Sequence, residues 1–392
     1  MSHAQLSPSS AVRWMACPGS VALCKDLPGS VALCKDLPDT SSSFADEGTD
    51  AHELAAICLE LGTDASGYVG TIREKGTIVD MEMALAVQDY VDYVRNVVQV
   101  TDGILLVEQR LPISTITGEP DAHGTSDAVI LTDDELIVVD LKYGRGVPVA
   151  ADNNPQLQIY GLGALREFSP VQDFKTVRMV IHQPRLGAVS EWSQTVEELE
   201  AFGADVMLAA DMASADGAPL FPTDKGCRFC KAKATCPALR KEVLDCFEII
   251  KPQAAPDQLA VAMSKADLIE AWIKAIRAEV ESRLLAGDAV PGYKVVQGKR
   301  GNRAWTSKEE AEAALKAMRI KHDEMYDYSV ISPTRAEQLA KAKVIGERQW
   351  PKLQQLITQS EGKPSVAPES DKRPALVMSA VAAEFDDVTD LS

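Results

Sequence analysis

No stretch of this sequence approaches the ~20 consecutive apolar residues that span a bilayer, so no membrane-spanning helix is expected. Between Met1 and Ser10 there is no basic start followed by an apolar run, so no secretory signal is read there, and the expectation is a cytosolic protein. Positive charge is scarce. Forty Lys and Arg stand against 58 Asp and Glu, a net charge of -18, which argues against a general nucleic-acid coat protein. It leaves room for an enzyme whose carboxylates hold divalent cations. No GxxxxGK[ST] phosphate loop is present, so any motor activity would have to come from a partner. What remains is the composition of a globular protein, 46% hydrophobic and 25% charged, with 392 residues for one large or two ordinary domains.

A ten-residue unit, GSVALCKDLP, occurs twice in tandem, at Gly19–Pro28 and Gly29–Pro38, and reads as a duplication in an exposed loop. Hydrophobic periodicity predicts helices over Phe44–Leu61 and Asp80–Val100. Strands follow over Ile104–Leu111, Gly124–Leu131 and Glu135–Leu141, with a turn at Asp133-Asp134. A helix over Asn154–Phe168, strands over Thr176–Gln183 and Ala188–Ser193, and a helix over Val196–Met212 complete an α/β pattern with a mixed sheet. Beyond a linker at Pro252–Pro256, one long amphipathic helix is expected over Gln258–Leu285, and further helices over Glu309–Met318 and Pro333–Lys343. Pro291–Trp305 carries four basic residues with Tyr293 and Trp305, a mix that suits either a small hairpin or contact with DNA. From Ser360 the chain is rich in Pro, Ser and charge and is expected to be disordered.

Chemistry concentrates on the second and third strands. Asp127 lies in one, and Asp140-Leu141-Lys142 ends the next. A hairpin turning at Asp133-Asp134 brings both aspartates to one end, and residues two apart on a strand share a face. Two carboxylates suit Mg²⁺ or Mn²⁺, which prefer oxygen ligands. Such a cation polarises a phosphate and acidifies a water, while an adjacent ammonium offsets developing charge. Asp140 closes the buried run LIVV, an unusual place for an isolated acid.

Cys227, Cys230 and Cys236 form a C-x₂-C-x₅-C cluster, and a reducing cytosol favours metal binding over disulfides. A fourth thiolate could come from Cys17, Cys24, Cys34 or Cys58, with Cys58 on the apolar face of its helix, and less readily from Cys246, whose neighbours read as helical. Cys34 is the duplicate of Cys24, so neither is expected to have a unique role. Four thiolates suit Zn²⁺ and iron–sulfur clusters alike. Lys225, Arg228, Lys231, Lys233, Arg240 and Lys241 surround this cluster, either as a phosphate-tracking strip or as a solvated surface.

Four further motifs stand in a fixed order: Gly48-Thr49-Asp50-Ala51-His52, Gly124-Thr125-Ser126-Asp127, Asp140-Leu141-Lys142 and Gln156-Leu157-Gln158-Ile159-Tyr160. Together they resemble the RecB-like branch of the PD-(D/E)xK nuclease superfamily, over roughly residues 7 to 240. That branch includes RecB, AddB and the CRISPR-associated RecB-like exonucleases. The resemblance implies a restriction-endonuclease-like core and a divalent-metal-dependent DNA exonuclease. It implies His52, Asp127, Asp140 and the Leu141 carbonyl as ligands of Mg²⁺ or Mn²⁺. Lys142 would be catalytic, with Gln156 and Tyr160 positioning it or the DNA, and Glu108 would add a further carboxylate. In the iron–sulfur subset, one cysteine after a short Ser-rich start joins three beyond the core. That pattern implies Cys17, Cys227, Cys230 and Cys236 around a [4Fe–4S] cluster, with Zn²⁺ as the alternative.

The expected organisation is a nuclease domain over 1–248, a mainly helical region over 249–359 and an acidic tail over 360–392. The plan is similar to phage-encoded RecB-like proteins, which implies DNA replication or recombination in a bacterial host cytosol. Partners would be DNA and a recombination, single-strand-binding or helicase protein. The other expectation is a catalytically silent DNA-binding or scaffold module that keeps the fold and the metal cluster.

Overall fold

A computed structural model describes residues 4–25, 43–146, 148–249, 255–294 and 296, and beyond these 308–319, 321, 325–326, 333–341 and 343–357. The chain divides into two compact units, Met1–Val296 and Gln297–Ser392. In chain order the first holds α1 (Ala11–Ala16), α2 (Ser20–Lys25), α3 (Ser43–Leu61), α4 (Met81–Thr101), β1 (Ile104–Pro112), α5 (Ser114–Thr117), β2 (His123–Leu131) and β3 (Glu135–Leu141). It continues with α6 (Pro155–Phe168), β4 (Thr176–Gln183), β5 (Ala188–Thr195), α7 (Val196–Ser214), α8 (Asp224–Arg228), α9 (Pro237–Ile249), α10 (Pro256–Ser264) and α11 (Ala266–Leu285). The described helices of the second unit are α12 (Lys308–Ala317), α13 (Pro333–Lys341) and α14 (Trp350–Gln354). Among the described residues no helix is long and apolar enough to cross a membrane.

The fold is α/β, a five-stranded mixed sheet flanked by helices, with a helical extension. Strand order is β1-β2-β3-β4-β5; only β3 and β4 run parallel. A parallel pair needs a crossover, and α6 provides it. Leu136 to Leu141 are all buried, because helices cover both faces of β3. Its alternation sends Leu136 and Val138 into the core beneath α6 and α7, and Ile137, Val139 and Leu141 into the core beneath α3 and α4. Burying each such side chain contributes roughly 1.5–3 kcal/mol. Asp140 shares the parity of Leu136 and Val138, so it faces α6. The helix starts are locally encoded. Asp80 accepts from the Met83 amide at 2.7 Å, and Asn154 accepts from the Gln156 amide at 3.0 Å with Pro155 next, where a missing N–H costs nothing.

Three expectations change. The helix expected over Gln258–Leu285 is two helices, broken at Lys265. The Lys265 amide turns back to the Ala262 carbonyl at 3.1 Å, and its ammonium pairs with Glu242 at 2.8 Å. The described part of the first copy of the tandem unit, residues 19–25, is not an exposed loop. Gly19 donates to the Pro219 carbonyl at 2.8 Å, Ser20 and Val21 are buried, and α2 begins there. A Cβ on Gly19 would lie 2.4 Å from the Ala218 carbonyl, so only glycine fits. The second copy, most of Pro291–Trp305 and the segment from Ser360 lie outside the described residues. The first compact unit also runs past residue 248, because α11 packs on α8 and on the 3-10 turn Lys231–Ala234.

Candidate active site

The residues of the four motifs converge at one end of the sheet. The β2–β3 register, with Ala128 opposite Val139, puts Asp127 across from Asp140 on the α6 face. His52 on α3 reaches the same point: its Nδ1 lies 3.0 Å from Asp127 Oδ1. The Leu141 amide donates to Asp127 Oδ2 at 2.7 Å. Lys142 Nζ lies 2.9 Å from Asp140 Oδ2 and donates to Gln156 Oε1 at 3.1 Å. Gln156 Nε2 in turn donates to Asp140 Oδ1 at 3.1 Å and lies 3.4 Å from the Tyr160 hydroxyl. One amide therefore ties the acid to the base of the D-x-K triplet, and Tyr160 is held one helical turn away.

Glu108 joins this group. Val107 pairs with Ala128 and Gln109 with Ser126, which leaves Glu108 opposite Asp127. Its φ is 46°, in the left-handed region where a residue with a Cβ is strained, and such strain clusters at functional sites. Burial and the Asp127 carboxylate push its pKa up to about 7. Burial likewise raises Asp140, partly opposed by Lys142 and reinforced by Asp127. For His52, burial would lower the pKa, but the Asp127 carboxylate overrides it and holds the imidazole above its usual value.

All three shifts have one sign for stability: each group binds protons more tightly folded than unfolded. In the metal-free protein Glu108 should therefore contribute stability that is full below about pH 4.5 and lost as pH rises through about 7. Melting temperatures in metal-free buffer at pH 5 and pH 8 check this, and Glu108→Gln should flatten the difference. An unchanged slope in that variant would remove Glu108 from the site.

Two packing details of the site do not follow from the motif pattern. A Cβ on Gly124 would sit 2.8 Å from both Tyr160 Cε1 and Pro8 Cγ, so the glycine lets the Tyr160 ring lie against β2. Tyr90 on α4 is buried, its hydroxyl has no hydrogen-bond partner, and the Asp127, Asp140 and Glu108 carboxylates act on it. The only sign of Tyr90 in the sequence is an aromatic on an otherwise aliphatic helix face. Beside Lys142, Tyr143 is fixed by Glu47 at 3.4 Å and by the Arg185 guanidinium stacked 4.7 Å from its ring centre.

Among the described residues, no group of three or more His, Cys, Asp or Glu is arranged to hold a metal ion as it stands. The donor chemistry nonetheless suits a hard cation. Asp140 Oδ2 is buried and, despite the ammonium 2.9 Å away, accepts no well-angled hydrogen bond. His52, Asp127, Asp140 and Glu108 supply the remaining nitrogen and oxygen donors.

The second cluster joins distant segments. Cys17, at the end of α1, and Cys227, Cys230 and Cys236 are all buried and line one cavity. The Phe221 amide points at Cys17 Sγ at 3.3 Å and the Leu239 amide at Cys236 Sγ at 3.5 Å, donors that suit thiolates. The space between the cysteines is about 10 Å³. Cys24, expected to be an idle copy, lies beside Cys230. Their hydrogen bond lowers the Cys24 pKa and raises that of Cys230, and Arg13 Nη1 is 3.9 Å from Cys24 Sγ. Cys58 is buried in the α3–α4 core, apart from the cluster.

The family model described as "Protein of unknown function (DUF2800)" matches residues 3–374. The chain belongs to that family. A solved structure titled "Crystal structure of SSO0001" is 18% identical to this chain, over 49% of this chain and 84% of that one, with a TM-score of 0.24. A likeness of that size carries no argument about fold or function.

Proposed function

We propose that this member of the family is a divalent-metal-dependent DNA nuclease of the RecB-like type, acting as an exonuclease. One observation carries the reading: Asp127 and Asp140 face each other across β2 and β3, with Lys142 and Gln156 on the same carboxylate. The order of the four motifs supports it independently. His52, Asp127 and Asp140, with Glu108 opposite Asp127, would hold the cation, which supplies Lewis-acid polarisation of the scissile phosphate. Gln156 holds the Lys142 ammonium in place, where it can donate a proton or hydrogen bond to a phosphate oxygen as charge develops. Asp127, fixed by the Leu141 amide and His52, keeps its carboxylate aimed at the same point. Cys17, Cys227, Cys230 and Cys236 would bind a [4Fe–4S] cluster, or Zn²⁺, as a staple between α1 and the segment after α7.

The resemblance to phage-encoded proteins points to DNA replication or recombination as the setting, with a helicase, recombination or single-strand-binding protein as partner. A second reading, a silent DNA-binding scaffold, draws on the pairing of Asp127 with His52 and of Asp140 with Lys142, which already occupies both carboxylates. Purified protein incubated with end-labelled linear and circular DNA, single- and double-stranded, in Mg²⁺ or Mn²⁺ separates the two. The proposal expects metal-dependent loss of linear DNA and survival of circles. Survival of every substrate in both metals would favour the scaffold, and cutting of circles would make the activity endonucleolytic.

A further inference from the structure

The cysteine segment carries an unusual surface. Between Asp224 and Lys241 lie six basic residues and one acid, in a chain with eighteen excess negative charges. Lys225, Arg228, Lys231, Arg240 and Lys241 are exposed, and among the described residues none of the six forms an ion pair. Lys233 donates to the Arg228 carbonyl at 2.7 Å, but like charges held together without acidic partners repel one another, and no ion pair among the described residues offsets Lys225, Lys231, Arg240 and Lys241. Lys225, Arg228, Lys231, Arg240 and Lys241 face water while the four cysteines are buried, and only Lys233 turns inward to line the cysteine cavity.

Phe229, between two of the cysteines, is 80% exposed. A single exposed aromatic is ordinary. This one sits beside a guanidinium, with Arg228 Cζ 5.5 Å from the ring centre, and on the lip of a groove. The groove measures about 370 Å³ and runs between Phe229, Lys231 and Lys233 on one side and Ala275, Ala278 and Glu279 of α11 on the other. That size is within the roughly 300–1,000 Å³ of small-ligand sites. Its α11 wall is lined by two alanines, which leave room for a flat ring. Glu279 on that wall is paired with Arg283 at 2.7 Å, and a carboxylate repels phosphate. Phosphates are thus favoured on the Lys225–Lys231 side and bases on the groove side.

We propose that Lys225, Arg228, Phe229 and Lys231, with the groove against α11, form a binding site for single-stranded DNA. The inference rests on the DNA reading above and adds where an unpaired strand is held and how. Phe229 stacks on a base, a contact that accepts any sequence, and the cations follow the backbone. In a duplex the base faces are covered by their neighbours, so the site prefers unpaired strands.

Fluorescence anisotropy with labelled oligo-dT and a duplex of equal length, without added divalent cation, tests this on the full chain. Parent protein should bind oligo-dT more tightly than duplex, with strong salt dependence. Phe229→Ala should weaken oligo-dT binding by roughly tenfold without altering the salt slope, and Phe229→Trp should restore it. The pair Lys225→Gln and Lys231→Gln should flatten the slope by about 1.4, near 0.7 for each lost phosphate contact. Metal content of each variant, equal to parent, verifies that the cysteine segment is intact. No oligo-dT binding by the parent, or parent-like binding by both sets of variants, would overturn the proposal; so would a preference for duplex. The two readings fail separately. A parent that binds through Phe229 but never cuts DNA defeats the nuclease, whereas a parent that cuts while the Phe229 and Lys variants bind normally defeats only this surface.

Discussion

Asp140→Ala is expected to reduce Mn²⁺-dependent hydrolysis of linear DNA by about 10³-fold or more, since it removes a cation ligand and with it the charge stabilisation at the phosphate. DNA affinity should change little, because Asp140 is buried and acidic and no phosphate-contacting cation is lost. Lys142→Ala should fall nearly as far. Gln156 bridges the two side chains, so their effects are coupled, and the double variant should be little worse than either single one. Gln156→Ala frees the ammonium without removing it and should cost less, on the order of 10–100-fold. The assay is single-turnover release of labelled nucleotides. Parent-like rates in both Asp140→Ala and Lys142→Ala would place the chemistry elsewhere.

The second large effect concerns the cysteines. Cys17→Ala, Cys227→Ala, Cys230→Ala and Cys236→Ala should each lose the bound metal, and with it solubility and several degrees of melting temperature. Ligand binding to a folded site is folding free energy, and here it connects α1 to a segment some 200 residues away. Anaerobically purified parent should be brown, with about four irons per chain if the cluster is a cubane. A colourless protein with one zinc would keep the four-thiolate staple. Cys24→Ala decides a narrower point. Its contact with Cys230 predicts a measurable shift in metal affinity, yet retention of the metal. Loss of metal in Cys24→Ala with retention in Cys17→Ala would exchange their roles.

The sheet was legible because its signal is local. The apolar run of β3, the Asp133-Asp134 turn and the Asn154-Pro155 start are each written in a few adjacent residues. The spacing of Asp127 from Asp140 across that turn carried their pairing too. Features that depend on distant contacts were not readable. At the split, Lys265 pairs with Glu242, and at the start of α2 Gly19 closes on the Pro219 carbonyl, both contacts between segments far apart in sequence. The Gln156 bridge between Asp140 and Lys142 needs α6 to cross the sheet at one angle, which periodicity does not specify. The left-handed backbone at Glu108 leaves no trace in residue type, since glycine or asparagine would ordinarily mark it.

The proposed function requires Asp127, Asp140 and their neighbours to form a divalent-cation site. Mn²⁺ titration followed by electron paramagnetic resonance measures this without DNA or turnover. Saturable loss of the free Mn²⁺ signal is expected with the parent, weakened by about tenfold or more in Asp140→Ala as a lost carboxylate ligand would require. Identical titrations of parent and variant would contradict it.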